Sequence, residues 1–182
     1  FKLIEPFSGY GFNKAHAASY GMLAFRTAFM KANYPVEFMA ALLTAESGDN
    51  DKVSSAVNEC KRVGIKVLPP DINESDVGFK IVEDKDSLDG RAMRFGLNAI
   101  KNVGKASIEA ILEARSQEKF STFADFLSKV DSRRVNKKVL ESLIKVGGLS
   151  SFGSRAALLT SMEEVRSKVT KPKGGQEGQQ AL

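Results

Sequence analysis

Residues 97–115 carry the residue types and spacing that best suit a defined chemistry. Leu97, Ile100, Ile108, Ile111 and Leu112 recur at helical spacing on either side of Asn102-Val103-Gly104-Lys105. That pattern is a short helix, a tight turn and a longer amphipathic helix. Asn102 tolerates the left-handed backbone that such a turn asks for, and Gly104 removes a side chain from it. The N–H groups of Val103, Gly104 and Lys105 are then left at a helix N-terminus. Free N–H groups at the positive end of a helix dipole bind a phosphate without regard to base sequence. The competing reading is an ordinary helical turn with a glycine.

A degenerate second copy follows. Phe123, Phe126, Leu127 and Val130 lead into a turn, after which come Val139, Leu140, Leu143 and Ile144. This turn has no glycine, so close backbone approach to a phosphate is harder. It carries four cations instead, Arg133, Arg134, Lys137 and Lys138, which suit phosphates as forks or point charges. A solvated helix face is the alternative. Two such units in tandem pack about a pseudo-twofold, which supports both. A third candidate site is Asn13, Lys14 and His16, placed behind the loop Ser8-Gly9-Tyr10-Gly11-Phe12 at the start of a helix. Lys14 can pair with a phosphate and the imidazole can donate to one. Equally, Lys14 can be solvated and His16 a structural hydrogen-bonder. No Gly-Lys-Ser/Thr closes the loop, so it is not a Walker turn.

Other chemistries lack their parts. One histidine and one cysteine cannot make a zinc site or a nucleophilic triad. No close pair of aspartates stands on a plausible strand, and Asp49, Asp51, Asp71 and Asp76 read as caps and turns. No catalytic residue and no metal site is expected within this chain.

The elements that must position these groups are mostly helices. An Ala/Leu/Met/Phe-rich run predicts a mostly buried helix over 15–32, with Gly21 as a close-packing point. Pro35 opens a second helix to residue 46, and Asp49 or Asn50 caps a third that Gly64 ends. Residues 65–68 are a short extended piece. Alternating runs over 77–82 and 91–97 around a polar loop predict a β-hairpin, the one strand pair expected. Helices follow over 97–101, 105–115, 122–129, 135–145 and 156–169. From residue 170 the chain reads as a low-hydrophobicity linker.

The chain has 182 residues, 42% of them hydrophobic, enough for a packed core. Lys+Arg exceed Asp+Glu by 27 − 22 = +5, and residues 100–149 carry 10 against 6, net +4. That surplus suits a polyanion. A lone cysteine excludes an internal disulfide framework and fits a reducing compartment. The longest apolar run, residues 38–43, is far short of the roughly 18 a membrane span needs. No membrane partner and a cytoplasmic location are therefore expected, and Phe at residue 1 suggests an interior fragment of a longer protein.

The 97–115 segment has the layout of a helix-hairpin-helix. Beyond it, Ser8-Gly9-Tyr10-Gly11-Phe12-Asn13-Lys14-Ala15-His16-Ala17-Ala18-Ser19-Tyr20 resembles the fingers signature of the bacterial C-family replicative polymerases, the DNA polymerase III alpha subunits. Tyr34-Pro35-Val36-Glu37-Phe38-Met39-Ala40-Ala41-Leu42-Leu43, Leu68-Pro69-Pro70-Asp71-Ile72-Asn73, Arg94-Phe95-Gly96-Leu97 with Ile100-Lys101-Asn102-Val103-Gly104, and Arg134-Val135-Asn136-Lys137 are similar to the same family, in order along the chain. The family often has Ser at the place of Ala15 and Gly at the place of Asn102.

The resemblance implies a mainly α fold of three parts. Residues 1–74 would be the end of the polymerase fingers. Residues 75–165 would be a tandem helix-hairpin-helix DNA-binding domain with one short β-hairpin, and residues 166–182 a flexible linker. It implies that Asn13, Lys14 and His16 face the incoming dNTP. Asn102, Val103, Gly104, Lys105, Arg133, Arg134, Lys137 and Lys138 would then grip duplex DNA. It further implies nucleotidyl transfer by the full subunit, with magnesium held by a palm domain outside this chain, and other polymerase III holoenzyme subunits as partners. The alternative is a stand-alone helix-hairpin-helix module that binds DNA without enzyme activity.

Overall fold

The computed structural model describes residue 5, residues 13–87 and residues 89–170. The glycine loop expected over 8–12 and the linker expected over 171–182 lie outside the described residues.

Helix α1 (Lys14–Asn33) starts where the Asn13 side chain accepts the His16 N–H at 3.0 Å. Pro35 opens α2 (Pro35–Ala45), where its missing N–H costs nothing. The Asp49 carboxylate accepts from the N–H groups of Asp51 and Lys52, so α3 runs Asn50–Arg62. Gly64, at φ +79°, ends it. Three short strands follow: β1 (Val67–Leu68), β2 (Lys80–Glu83) and β3 (Arg91–Arg94). β2 and β3 form the expected antiparallel hairpin, with Ile81 opposite Met93. β1, expected only as an extended piece, pairs in parallel with β3, giving the order β1-β3-β2.

The rest is helical: a 3₁₀ turn at Leu97–Ala99, α4 (Lys105–Gln117), α5 (Phe123–Lys129), α6 (Lys137–Lys145), a 3₁₀ turn at Ser150–Phe152 and α7 (Arg155–Thr170). The fold is mainly α with a small sheet. The helix expected over 97–101 is shortened to its 3₁₀ turn because the backbone is already extended at Ile100, with φ −89° and ψ 121°. The helix expected over 156–169 is α7; it includes residues 166–170, which the three-part division gives to the linker, and Lys168 pairs there with Glu164 at 2.5 Å.

Two apolar clusters hold the chain. One joins Val36, Met39 and Leu43 of α2 to Val53, Ala56 and Cys60 of α3, with Phe79 and Met93 of the sheet. The other gathers Leu97, Ile111, Phe126, Leu140, Leu143 and Leu149. The clusters cross the boundary read at residues 74/75. Ile72 lies in the second, while the hairpin residues Phe79 and Met93 lie in the first. Phe95 packs against both, its ring 4.7 Å from that of Phe79. The loop between them is fastened on both sides. Ser75 Oγ donates to Phe95 O at 2.7 Å, and Arg115 donates to the carbonyls of Ile72 and Ser75 at 3.0 and 2.6 Å.

Gly96 lies where two backbones meet. A Cβ there would stand 2.5 Å from the carbonyl carbon of Gly78. Gly96→Ala therefore forces the strand ends apart and should cost about 1–3 kcal/mol, the range for overpacking. A loss of hydrogen-exchange protection in the hairpin amides measures it, and unchanged protection would refute the close approach.

Helix α1 departs from expectation. None of its described residues is buried, and nothing lies within 4 Å of a Cβ placed on Gly21. Tyr20, Leu23, Phe25 and Phe29 are exposed at 49–67%. Apolar composition signals a wish for burial but does not name the surface that provides it, and the described residues do not provide one. The helix is tied to α3 by Lys31, whose Nζ lies 2.8 Å from Glu59. The Arg62 and Lys31 hydrogen bonds to Glu59 hold its carboxyl down to about 2.

Candidate functional site

The first hairpin turn is built by backbone geometry. Leu97, Ile100, Val103, Ile108 and Ile111 are buried and fix the two arms. Between them Asn102 sits at φ +68°, the one non-glycine residue with positive φ among the described residues. Asparagine bears this conformation at small cost. Gly104 is the N-cap of α4 and supplies no capping side chain. The first helical bond is Ile108 N–H to Gly104 O, at 3.0 Å. The N–H groups of Lys105, Ala106 and Ser107 therefore have no intrahelical acceptor, and with glycine at the cap no side chain replaces it. Nothing stands within 4 Å of a Cβ placed on Gly104. No contact within the chain demands glycine there, and the space in front of the N–H groups stays open. Val103 differs from expectation. Its N–H donates to Ile100 O at 3.0 Å and its side chain is buried, so the turn consumes it.

The second turn is closed differently. Asn136 caps α6, its Oδ1 accepting the Val139 N–H at 3.2 Å. Asp131 Oδ1 accepts the Arg133 N–H at 2.8 Å. Side chains here satisfy donors that the first hairpin leaves open. The four cations divide into two kinds. Arg134 is only partly exposed and its guanidinium reaches Glu113 at 2.9 Å and Glu109 at 3.1 Å on α4. Lys137 lies 2.5 Å from Glu163 on α7, and that hydrogen bond raises its pKa. Arg133 and Lys138 are exposed, and their side chains have no partner among the described residues. Lys105 is 91% exposed and lies 3.9 Å from Glu109, which leaves it available.

The two hairpins are stitched together reciprocally. Asn102 Nδ2 in the first turn donates to Ser142 Oγ on α6 at 3.0 Å. Ser107 Oγ in the first turn of α4 donates to Arg134 O in the second turn at 2.6 Å. The exchange brings the α4 N-terminus beside the turn that leads into α6. Lys101 belongs with this turn, although its spacing in the sequence does not set it apart from other lysines. It is exposed beside Asn102 without a partner, and its place next to the turn asparagine was the available signal.

The third set lies apart, at the start of α1. Asn13 is the helix cap, so its side-chain oxygen is committed to the backbone. Lys14 and His16 are exposed on the first turn, and the His16 ring lies 4.3 Å from that of Tyr20. Elsewhere the chemistry is sparse. Cys60 is fully buried, and burial pushes its thiol up to about 11, well away from nucleophilic use at neutral pH. Among the described residues no group of three or more His, Cys, Asp or Glu could hold a metal ion, and no helix is long and apolar enough to cross a membrane.

Comparison with known proteins agrees with this geometry. The family model of the helix-hairpin-helix motif matches residues 64–158. DNA polymerase III subunit alpha of Thermus aquaticus is 49% identical over 164 residues, covering 90% of this chain and 13% of that protein. The same subunit of Campylobacter jejuni is 46% identical over 167 residues, covering 91% and 14%. That of Borreliella burgdorferi is 43% identical over 185 residues, covering 100% and 16%. The chain thus spans about one-seventh of the length of these relatives. With its hairpin geometry and this match over more than half its residues, the chain belongs to the helix-hairpin-helix family and corresponds to a segment of the DNA polymerase III alpha subunits.

Proposed function

We propose that this chain serves a replicative DNA polymerase as its duplex grip and as part of its nucleotide-facing fingers. The observation that carries the reading is the α4 N-terminus, where Gly104 leaves open space before unpaired N–H groups and Asn102 supplies the left-handed turn. Such a site suits a backbone phosphate and carries no base preference. Lys105, Arg133 and Lys138 surround the hairpins with available charge. At the other end, Lys14 and His16 would meet the triphosphate of the incoming dNTP. Asn13 would hold the turn from which they project. On this reading the magnesium ions of nucleotidyl transfer are held by a palm domain outside this chain. The holoenzyme subunits are further partners on this reading.

The test is duplex binding by the full-length subunit as a function of salt. Each lost phosphate contact should reduce the log–log salt slope by about 0.9. Lys138→Ala should do so. Arg134→Ala should leave the slope unchanged, because its guanidinium is spent on Glu109 and Glu113. An unchanged slope for Lys138→Ala would assign that lysine to a solvated face. Primer extension offers a second check. This chain alone, given template, dNTPs and magnesium, should extend nothing, and extension by the purified chain would overturn the reading.

A further inference from the structure

The hairpin turn does not stand alone. A cleft of about 380 Å³ runs between it and the turn that joins α2 to α3. Ser47, Gly48 and Asn50 line one side, and Asn98 and residues 100–104 line the other. Asn98 Nδ2 donates to Ser47 Oγ at 2.9 Å and ties the two walls together. We propose that this cleft is a second phosphate site, holding the phosphodiester next to the one at Gly104 on the same DNA strand. The proposal rests on the duplex-binding reading above and extends it to the α2–α3 turn, outside the hairpins.

Three observations support it. First, no carboxylate lines the cleft, and Lys101 does. In two other clefts of similar size the cations are already paired, Lys129 and Arg134 with Glu118 and Glu113, and Lys31 and Lys52 with Glu59 and Glu46. The nearby Asp49 carboxylate is turned onto the N–H groups of Asp51 and Lys52. Second, the walls present donors that nothing among the described residues uses. The Gly48 N–H, the Asn50 N–H and side chain, and the Lys101 ammonium have no partner there. Ser47 Oγ accepts from Asn98, which leaves its own proton free to point elsewhere. Third, nothing lies within 4 Å of a Cβ placed on Gly48 or on Gly104. Both glycines leave room for an external backbone to approach, and neither is required by a positive φ.

The experiment places charge in the cleft of the full-length subunit and measures binding of a fluorescent 20-base-pair duplex across salt. Gly48→Glu and Lys101→Ala should each weaken binding and lower the salt slope by about 0.9. The deficit at 50 mM salt should then shrink about 3.5-fold by 200 mM, since each contact scales with salt to that power. Gly48→Ala should bind as wild type, which separates charge from shape, and unchanged thermal unfolding of each variant excludes misfolding. Lys138→Ala at the second hairpin is run in parallel. If it lowers the slope while Gly48→Glu and Lys101→Ala do not, the cleft proposal is overturned and the hairpin reading stands. If none of the three changes the slope, both readings fall.

Discussion

Lys14→Ala in the full-length subunit should weaken apparent dNTP affinity by about 1.5–3 kcal/mol, or roughly 10- to 150-fold, the range for a hydrogen bond to a charged group. Duplex binding should be spared, because α1 and the hairpins lie at different places in the fold. Asn13 caps α1 through the His16 N–H, which orients the first turn and leaves Lys14 exposed without a carboxylate partner among the described residues. An unpaired ammonium at the positive end of a 20-residue helix favours an anion. The change removes no packing, so a loss of affinity reports the lost contact rather than misfolding. The effect should appear in the dNTP concentration dependence of single-turnover extension. A variant with normal nucleotide affinity and normal turnover would remove Lys14 from the site and leave it a solvated lysine.

Phe126→Ala should be the most damaging single change in the hairpin domain, at about 3–5 kcal/mol. Phe126 is fully buried at the centre of the second cluster, edge-on to Phe120 with ring centroids 5.0 Å apart. Removing the ring costs its burial and its aromatic contact, and leaves a cavity between helices that cannot close around it. The helix it belongs to has only seven residues, too short to persist without that packing. Hydrogen exchange in the full-length subunit reads the result. Protection of the α5 and α6 amides should fall by more than about a hundredfold, since each 1.4 kcal/mol is a decade. The salt slope of any remaining binding should not change, because Phe126 touches no phosphate. Retained protection would mean that the cluster repacks.

Much of this protein was legible in the sequence because it is decided locally. A cap needs only an acceptor a few residues before the N–H it binds, so Asp49 could be read as opening α3. The left-handed turn at Asn102 belongs to one residue's backbone, and the β2–β3 hairpin to two runs and the loop between them. The order of motifs along the chain likewise carried the family.

Other features depend on which distant segments meet, and only the tertiary structure decided them. Arg134 finds Glu109 and Glu113 across 25 and 21 residues, and Lys137 finds Glu163 on a different helix. A run of four cations therefore splits into paired and available ones, although all four look alike in sequence. β1 becomes a strand because β3 offers it a free edge, not because two residues prefer one. The cleft beside the hairpin exists because the α2–α3 turn is carried up to Asn98, 51 residues away in sequence. Helix α1 shows the reverse case. Its apolar residues announced burial, yet burial is a relation between two surfaces, and the residues described here provide only one of them.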